Sequence, residues 1–220
     1  MNRKSRPKQR TPSSKRWLAE HENDEFVQKA RKLGYRSRAR FKLEEIDERD
    51  HLLKAGLTVV DLGAAPGGWA EYAAARVGPK GAVIALDILP MEVIPGVIAL
   101  QADFTEQPAL DLLAAAIGTG NRVDLVISDM APNISGISVS DQPKSMYLAE
   151  LAMEFAVQTL KPGGSFLTKV FQGEGFDAYL KQLRQQFKSV ASRKPRASRA
   201  RSREMYLLAK GYSPADGQSG

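Results

Sequence analysis

Lys169 stands inside SFLTKVF, an otherwise apolar run. A charged amine in such a run is costly unless it is paired or put to use, so Lys169 is the first candidate for chemistry. Its structural alternative is a lysine at the open end of a strand, reaching solvent. Four aspartates recur at the ends of β-branched runs: Asp61 in TVVDLG, Asp87 in AVIALD, Asp103 in VIALQAD and Asp129 in VDLVISDM. Each alone reads as an ordinary strand terminus or helix cap. Together they predict an acidic rim along one edge of a sheet.

Such a rim repels a phosphate-rich cofactor and suits a nucleoside ligand carrying positive charge. S-adenosylmethionine, with its sulfonium and amino groups, fits that description. Asp87 lies 24 residues beyond Gly63, where a carboxylate can accept hydrogen bonds from ribose hydroxyls. The segment VVDLGAAPGG, residues 59–68, reads as a strand, a small-residue turn and a helix opening near Trp69. It is not a phosphate-binding loop, because no Gly-Lys-Ser/Thr follows the glycines. Nor is it GxGxxG, because Ala64, Ala65 and Pro66 separate Gly63 from Gly67 and Gly68. A nicotinamide cofactor is therefore disfavoured. The chain has no cysteine and only two histidines, His21 and His51, which excludes thiol catalysis, disulfides and Cys/His zinc sites. Chemistry falls to lysines, carboxylates and hydroxyls, and the reading calls for no metal.

The elements that must position these residues follow from the apolar pattern. With 220 residues, 43% of them hydrophobic and 26% charged, the chain fits one α/β domain with extensions. After Gly56, short β-branched runs alternate with helices expected at residues 69–77, 108–117, 146–160 and 176–187, before a last strand EMYLLAK. That alternation predicts a doubly wound, mostly parallel sheet covered on both faces. Ahead of it, one helix is expected from Ser13-Ser14 to about Lys32, stopped at Gly34, and a second from Ser37 to about Arg49. The expected divisions are a disordered basic tail (1–14), a helical extension (15–56), the α/β domain (57–211) and a flexible tail (212–220). With no run of 18 apolar residues and no signal-peptide pattern, a soluble cytoplasmic protein is expected.

The net charge of +7 conceals a segregation. Residues 1–42 carry 14 Lys and Arg against 4 acids, residues 43–180 carry 8 against 19, and residues 181–220 carry 10 against 2. Two acid-free runs, Lys29–Lys42 and Leu180–Arg203, are interleaved with Tyr35, Phe41 and several serines. A solvated face is the plain reading of one such run. Two of them suit a polyanion, with cations on phosphates and aromatics on unpaired bases.

DLGAAPGGW, SDMAPN, KVFQGEGF and SRARSREMY, in that order, closely resemble the FtsJ/RrmJ family of ribosomal RNA large-subunit 2′-O-ribose methyltransferases, from about Ser14 to Lys210. The resemblance implies a Rossmann-like methyltransferase whose last strand, Glu204 to Lys210, runs antiparallel. It implies S-adenosylmethionine held by Gly63, Gly67 and Trp69, with Asp87 on the ribose, Asp103 near the adenine and Asp129 close to the methyl donor. It also implies a catalytic tetrad of Lys42, Asp129, Lys169 and Glu204. The substrate implied is a uridine of 23S rRNA, within the large subunit or its precursor, modified by a monomer. From the residues alone, Lys42 reads equally as a solvated helix cation, and Glu204 as a partner of Arg201 or Arg203. Lys169 reads either as a general base or as a cation that orients the hydroxyl, since crowding by Lys42 opposes the pull of the acids. A noncatalytic RNA-binding module and a small-molecule methyltransferase are the competing readings; the first has no need of Lys169, the second none of the basic arms.

Overall fold

The computed structural model describes residues 24–132, 138–199 and 201–214. Seven strands form one sheet: β1 (Thr58–Leu62), β2 (Ala82–Asp87), β3 (Val97–Gln101), β4 (Val123–Ser128), β5 (Leu160–Phe171), β6 (Phe187–Arg193) and β7 (Glu204–Tyr212). Their order is β3-β2-β1-β4-β5-β7-β6. β7 runs antiparallel to both its neighbours, and the other pairings are parallel. The strand order reverses between β1 and β4, so the carboxyl ends of these two strands flank the crevice where open α/β sheets bind ligands.

Helices α1 (Glu25–Leu33) and α2 (Arg40–Asp50) precede the sheet, and α3 (Gly68–Val77), α4 (Gln107–Ile117), α5 (Ser138–Thr159) and α6 (Phe176–Gln186) connect its strands. Asp24 caps α1 by accepting the amides of Phe26 and Val27, and Gly34 ends it in the left-handed conformation that favours glycine. The sheet separates two apolar clusters. One gathers Val60, Leu62, Phe166 and Leu207 under α4, α5 and α6. The other gathers Val59, Leu125, Leu167 and Tyr206 with Trp69 of α3 and with Leu43, Ile46, Leu52 and Leu53 of the N-terminal extension. The extension and the sheet thus share one core. Asp47, buried on α2, secures that junction by accepting hydrogen bonds from the Leu53 amide, the Tyr72 hydroxyl and Arg76 Nε.

Several expectations change. The helix entry at Ser13-Ser14 lies outside the described residues, α2 begins at Arg40 rather than Ser37, and α5 begins at Ser138 rather than Met146. β6 was not expected at all. Its sequence, FKSVASR, leaves Lys188, Ser189 and Ser192 exposed on an edge strand, where a cation hinders further pairing, and it shows no clean apolar alternation. The acid-free run Leu180–Arg203 is therefore partly scaffold. Arg193 forms a two-pronged ion pair with Asp50, at 2.6 and 2.7 Å.

The second half of the first basic run, from Arg36 to Lys42, is likewise spent on structure. Arg38 pairs with Asp24, Arg40 with Glu71, and Arg36 with Glu71 and Glu92. Phe41 is buried against Phe26, Tyr35 and Ala197, and Tyr35 lies under the Arg40 guanidinium, so neither ring is a free face for a base. Charge and aromatic spacing cannot distinguish such internal pairing from an RNA surface. Among the described residues of the two runs, Lys29, Arg31, Lys32, Lys181, Arg184, Lys188, Lys194, Arg196, Arg201 and Arg203 remain exposed.

Candidate active site

Side-chain parity brings the reactive groups together. Along β5, odd-numbered Leu167 and Lys169 face the side covered by α2 and α3; along β7, even-numbered Tyr206 and Leu208 face the same side. Lys169 and Tyr206 are register partners, and Glu204 pairs with Phe171 two residues further on. α2 lies over this face and presents Lys42. Asp129 follows β4 directly, its amide bonded to the Leu62 carbonyl.

Tyr206 joins Lys169, Asp129, Lys42 and Glu204 into one continuous chain. Lys169 Nζ lies 3.0 Å from Asp129 Oδ1 and also donates to the Asp129 carbonyl. Asp129 Oδ1 accepts from the Tyr206 hydroxyl at 2.8 Å. That hydroxyl accepts from Lys42 Nζ at 2.9 Å, and Lys42 Nζ donates to Glu204 Oε1 at 2.7 Å. Ser198 Oγ donates to the same Glu204 oxygen at 2.9 Å. Lys42 and Lys169 are only 6% and 8% exposed, so two buried cations are balanced by two carboxylates. Burial by itself raises both carboxylates, but Lys169 and Lys42 beside Asp129, and Lys42 beside Glu204, hold them below their ordinary values. Burial, together with these two carboxylates, pushes Tyr206 well above the ordinary tyrosine value, so its hydroxyl keeps its proton as a donor. Glu204 is engaged by Lys42 and Ser198, and Lys42 is buried rather than a solvated cation.

The acidic rim is narrower than expected. Asp87 ends β2, its Oδ2 accepting from the Ala65 amide at 2.9 Å and its Oδ1 from the Leu89 amide at 2.8 Å. The aspartate thereby joins the glycine turn to the loop that follows β2. Asp103 lies two residues past β3, held below its ordinary value by hydrogen bonds from the Thr105 hydroxyl and amide. Asp61 does not belong to the rim. β1 continues through Leu62, so Asp61 points into the face under α3, fully buried, with the Ala70 amide of α3 nearby but no well-formed hydrogen bond to either oxygen. Burial, then the nearby charges of Asp129 and Asp87, raise it well above the ordinary carboxylate range.

The glycine turn is shaped by close approach. A Cβ on Gly63 would lie 2.7 Å from Met130 Cγ, and one on Gly67 would lie 2.5 Å from Ile94 Cδ1. Both residues have positive φ, so glycine is required twice over. Trp69 is not displayed in the crevice: it is buried, its indole N–H donating to the Ala39 carbonyl at 2.7 Å and its ring beside Tyr206. Gly63, Gly67 and Asp87 converge at one turn, while Lys42, Asp129, Lys169 and Glu204 converge at the adjoining strand ends. Tyr206 went unnoticed in the sequence, although its place two residues after Glu204 puts both on one face of a strand.

A family model described as FtsJ-like methyltransferase matches residues 35–212. The chain is 63% identical over 205 residues to the ribosomal RNA large subunit methyltransferase E of Alkalilimnicola ehrlichii, covering 93% of this chain and 98% of that protein. It is 61% identical over 200 residues to the protein of the same name from Chromohalobacter salexigens, covering 91% and 95%. Among solved structures, a candidate ribosomal RNA methyltransferase from Plasmodium falciparum superposes with a TM-score of 0.75 at 27% identity, covering 82% of this chain and all of that one. A candidate rRNA methylase from Clostridium thermocellum, at 18% identity and TM-score 0.55 over 77% of this chain and 97% of its own, shares the fold. With a family model spanning the sheet, the glycine turn and all four members of the buried charge chain, this protein belongs to the FtsJ-like methyltransferase family.

Proposed function

We infer that this protein transfers the methyl group of S-adenosylmethionine to the ribose 2′-hydroxyl of a uridine in 23S rRNA, acting as a monomer in the cytoplasm on the large ribosomal subunit or its precursor. The observation that carries this reading is the buried, charge-balanced chain Lys169–Asp129–Tyr206–Lys42–Glu204 at the mouth of the sheet crevice. The relatives named ribosomal RNA large subunit methyltransferase E support the substrate.

The residues of the turn fit the cofactor. Asp87 stands half-buried at the end of β2, beside a turn that admits no side chain at Gly63 or Gly67, and offers a carboxylate that a nucleoside's hydroxyls would engage and a phosphate would not. When bound, S-adenosylmethionine supplies a methyl group on a positively charged sulfur that leaves readily. Gly63 and Gly67 keep the turn close to its neighbours, and Asp87 is aimed by the Ala65 and Leu89 amides to accept from ribose hydroxyls. Asp103 would stand near the adenine and Asp129 near the transferred group. Trp69 supports the turn from behind rather than touching the ligand.

On the acceptor side, Lys169 donates to two oxygens of Asp129, which an ammonium does with one N–H to spare. That third proton would hold the 2′-hydroxyl oxygen in line and stabilise the negative charge that develops on it. Asp129 fixes the direction of Lys169, while Lys42 and Glu204 hold Tyr206 and Asp129 from the opposite end. This arrangement favours orientation over proton removal.

Mapping 2′-O-methyl sites in ribosomal RNA from cells with and without the gene tests the reading. One uridine of 23S rRNA should lose its methyl group, and purified protein should restore it. An unchanged map would overturn the assignment. Asp87→Ala should weaken S-adenosylmethionine binding by about 1.5–3 kcal/mol, the worth of hydrogen bonds to a charged acceptor. Calorimetry showing NAD bound in place of S-adenosylmethionine would end the cofactor proposal.

RNA affinity should fall linearly in log K against log[salt]. Neutralising Arg196, Arg199 and Arg201 together should flatten that slope by about 0.7–0.9 per lost phosphate contact while leaving cofactor affinity unaltered. An unchanged slope would remove the C-terminal arm from the RNA surface.

A further inference from the structure

The segment between α1 and α2, YRSRAR, reads in the sequence as part of a phosphate-binding arm. Its contacts point inward. Arg36 donates to two successive backbone carbonyls, Val93 O at 2.8 Å and Glu92 O at 3.4 Å, in the loop between β2 and β3. The same guanidinium lies 3.9 Å from the Glu71 carboxylate on α3 and 3.7 Å from that of Glu92. Its Cδ stands 3.2 Å from where a Gly67 side chain would begin, so the arginine stem walls the glycine turn.

Apart from Arg36, the loop is fastened by Ile94 and half-buried Met91 on the core cluster and by Gln101 Nε2 donating to the Ile88 carbonyl at 3.2 Å. Ile88, Leu89 and Val93 are 59%, 60% and 87% exposed, and only Ile94 is buried, against Gly67. Yet this loop begins at Asp87, and Asp87 Oδ1 takes one of its two backbone hydrogen bonds from Leu89. A loop with few buried apolar contacts opens easily, and whatever fastens it sets the position of Asp87. Gly68 and Trp69 are also backed by this segment, through Ser37 and the Ala39 carbonyl. Six residues beyond Arg36, the same segment delivers Lys42 to Glu204 and Tyr206.

We propose that Arg36 is a positioning residue for the cofactor site: it clamps the loop after β2 against the glycine turn, so that the N-terminal extension sets the donor wall as well as the acceptor side. This rests on the S-adenosylmethionine reading above. The ion pair with Glu92 contributes little, since Glu92 is 92% exposed, and the one with Glu71 is long, at 3.9 Å. The clamp is the pair of carbonyl hydrogen bonds, and it uses the fork of the guanidinium. A lysine keeps the charge but cannot reproduce the fork.

Three proteins decide the matter: wild type, Arg36→Ala and Arg36→Lys, each titrated calorimetrically with S-adenosylhomocysteine and separately with a 23S rRNA fragment, and each followed by amide exchange. Both variants should bind S-adenosylhomocysteine about tenfold more weakly, the loss expected for a hydrogen-bonded clamp. Exchange should accelerate at residues 88–96, RNA affinity should stay within about twofold, and the defect should appear in KM for S-adenosylmethionine rather than in kcat. Rescue by lysine, or RNA affinity falling with cofactor affinity intact, would make Arg36 a phosphate contact and overturn the proposal. Unchanged exchange at residues 88–96 would overturn it as well. If wild type itself fails to bind S-adenosylhomocysteine, the cofactor reading fails, and the clamp with it; if wild type binds and both variants bind equally well, only the clamp fails.

Discussion

Lys169→Ala is expected to lower methyl transfer by about 10³-fold while leaving S-adenosylmethionine and RNA affinity within about twofold, because the amine is assigned to the acceptor hydroxyl alone. Its removal leaves Asp129 with the Tyr206 hydroxyl and the more distant Lys42 as partners, so the fold persists with an altered charge balance. Lys169→Arg separates the two roles. Arginine keeps a permanent positive charge and cannot serve as a base, so residual turnover well above that of alanine would show that orientation and charge stabilisation dominate. The measurement is single-turnover methyl transfer from labelled S-adenosylmethionine with saturating RNA. Wild-type turnover in Lys169→Ala would show that the lysine is only a paired strand residue.

Lys42→Met is expected to cost about 10²-fold in activity and about 3 kcal/mol in stability, since it removes one partner from a buried charge pair and leaves Glu204 uncompensated. The pH dependence carries the sharper signature. Burial raises Glu204 and Asp129, and the lysines hold them below their ordinary values against that rise. A carboxylate lowered in the native state stabilises the fold above its unfolded pKa, and that contribution is lost as pH falls through the native value. Without Lys42 both native values climb, so loss of activity and of stability on the acid side begins at a higher pH. Rate profiles and thermal melts between pH 4 and pH 8, about the range in which such carboxylates titrate, report both quantities. An acid limb that does not move, with full turnover, would reduce Lys42 to a structural cation.

Much of the molecule was legible along the chain because its determinants are local. The β-branched runs of β1, β2 and β4, the glycines at 63 and 67, and the aspartates closing β2 and β4 each declare themselves within a few residues. A charged residue inside the apolar run SFLTKVF was enough to nominate Lys169 before any contact was known. The motifs then led from Lys169 to Lys42 and Glu204 by resemblance, across 162 residues of sequence between the last two. Charge was the poorest guide. The runs at Lys29–Lys42 and Leu180–Arg203 looked like a single kind of surface. In the folded chain Arg36, Arg38, Arg40, Lys42 and Arg193 are bound to internal carboxylates and carbonyls, while Arg31, Lys32 and Arg196 stay exposed.

The division has a simple physical cause. Secondary structure, turns and strand ends depend on φ, ψ and the periodicity of neighbouring side chains, which a linear sequence contains. Whether a cation meets phosphate or a carboxylate of its own chain depends on which elements pack together, and that is settled by long-range burial. The antiparallel insertion of β7 between β5 and β6 sets Tyr206 opposite Lys169, and the shared apolar cluster of α2 and α3 brings Lys42 over both. The same packing sealed Asp61 inside the sheet while leaving Asp87 at its edge, although both stand in near-identical sequence surroundings. One residue of strand length, Leu62 beyond Asp61, separates a buried carboxylate from one that closes its strand at the sheet's edge.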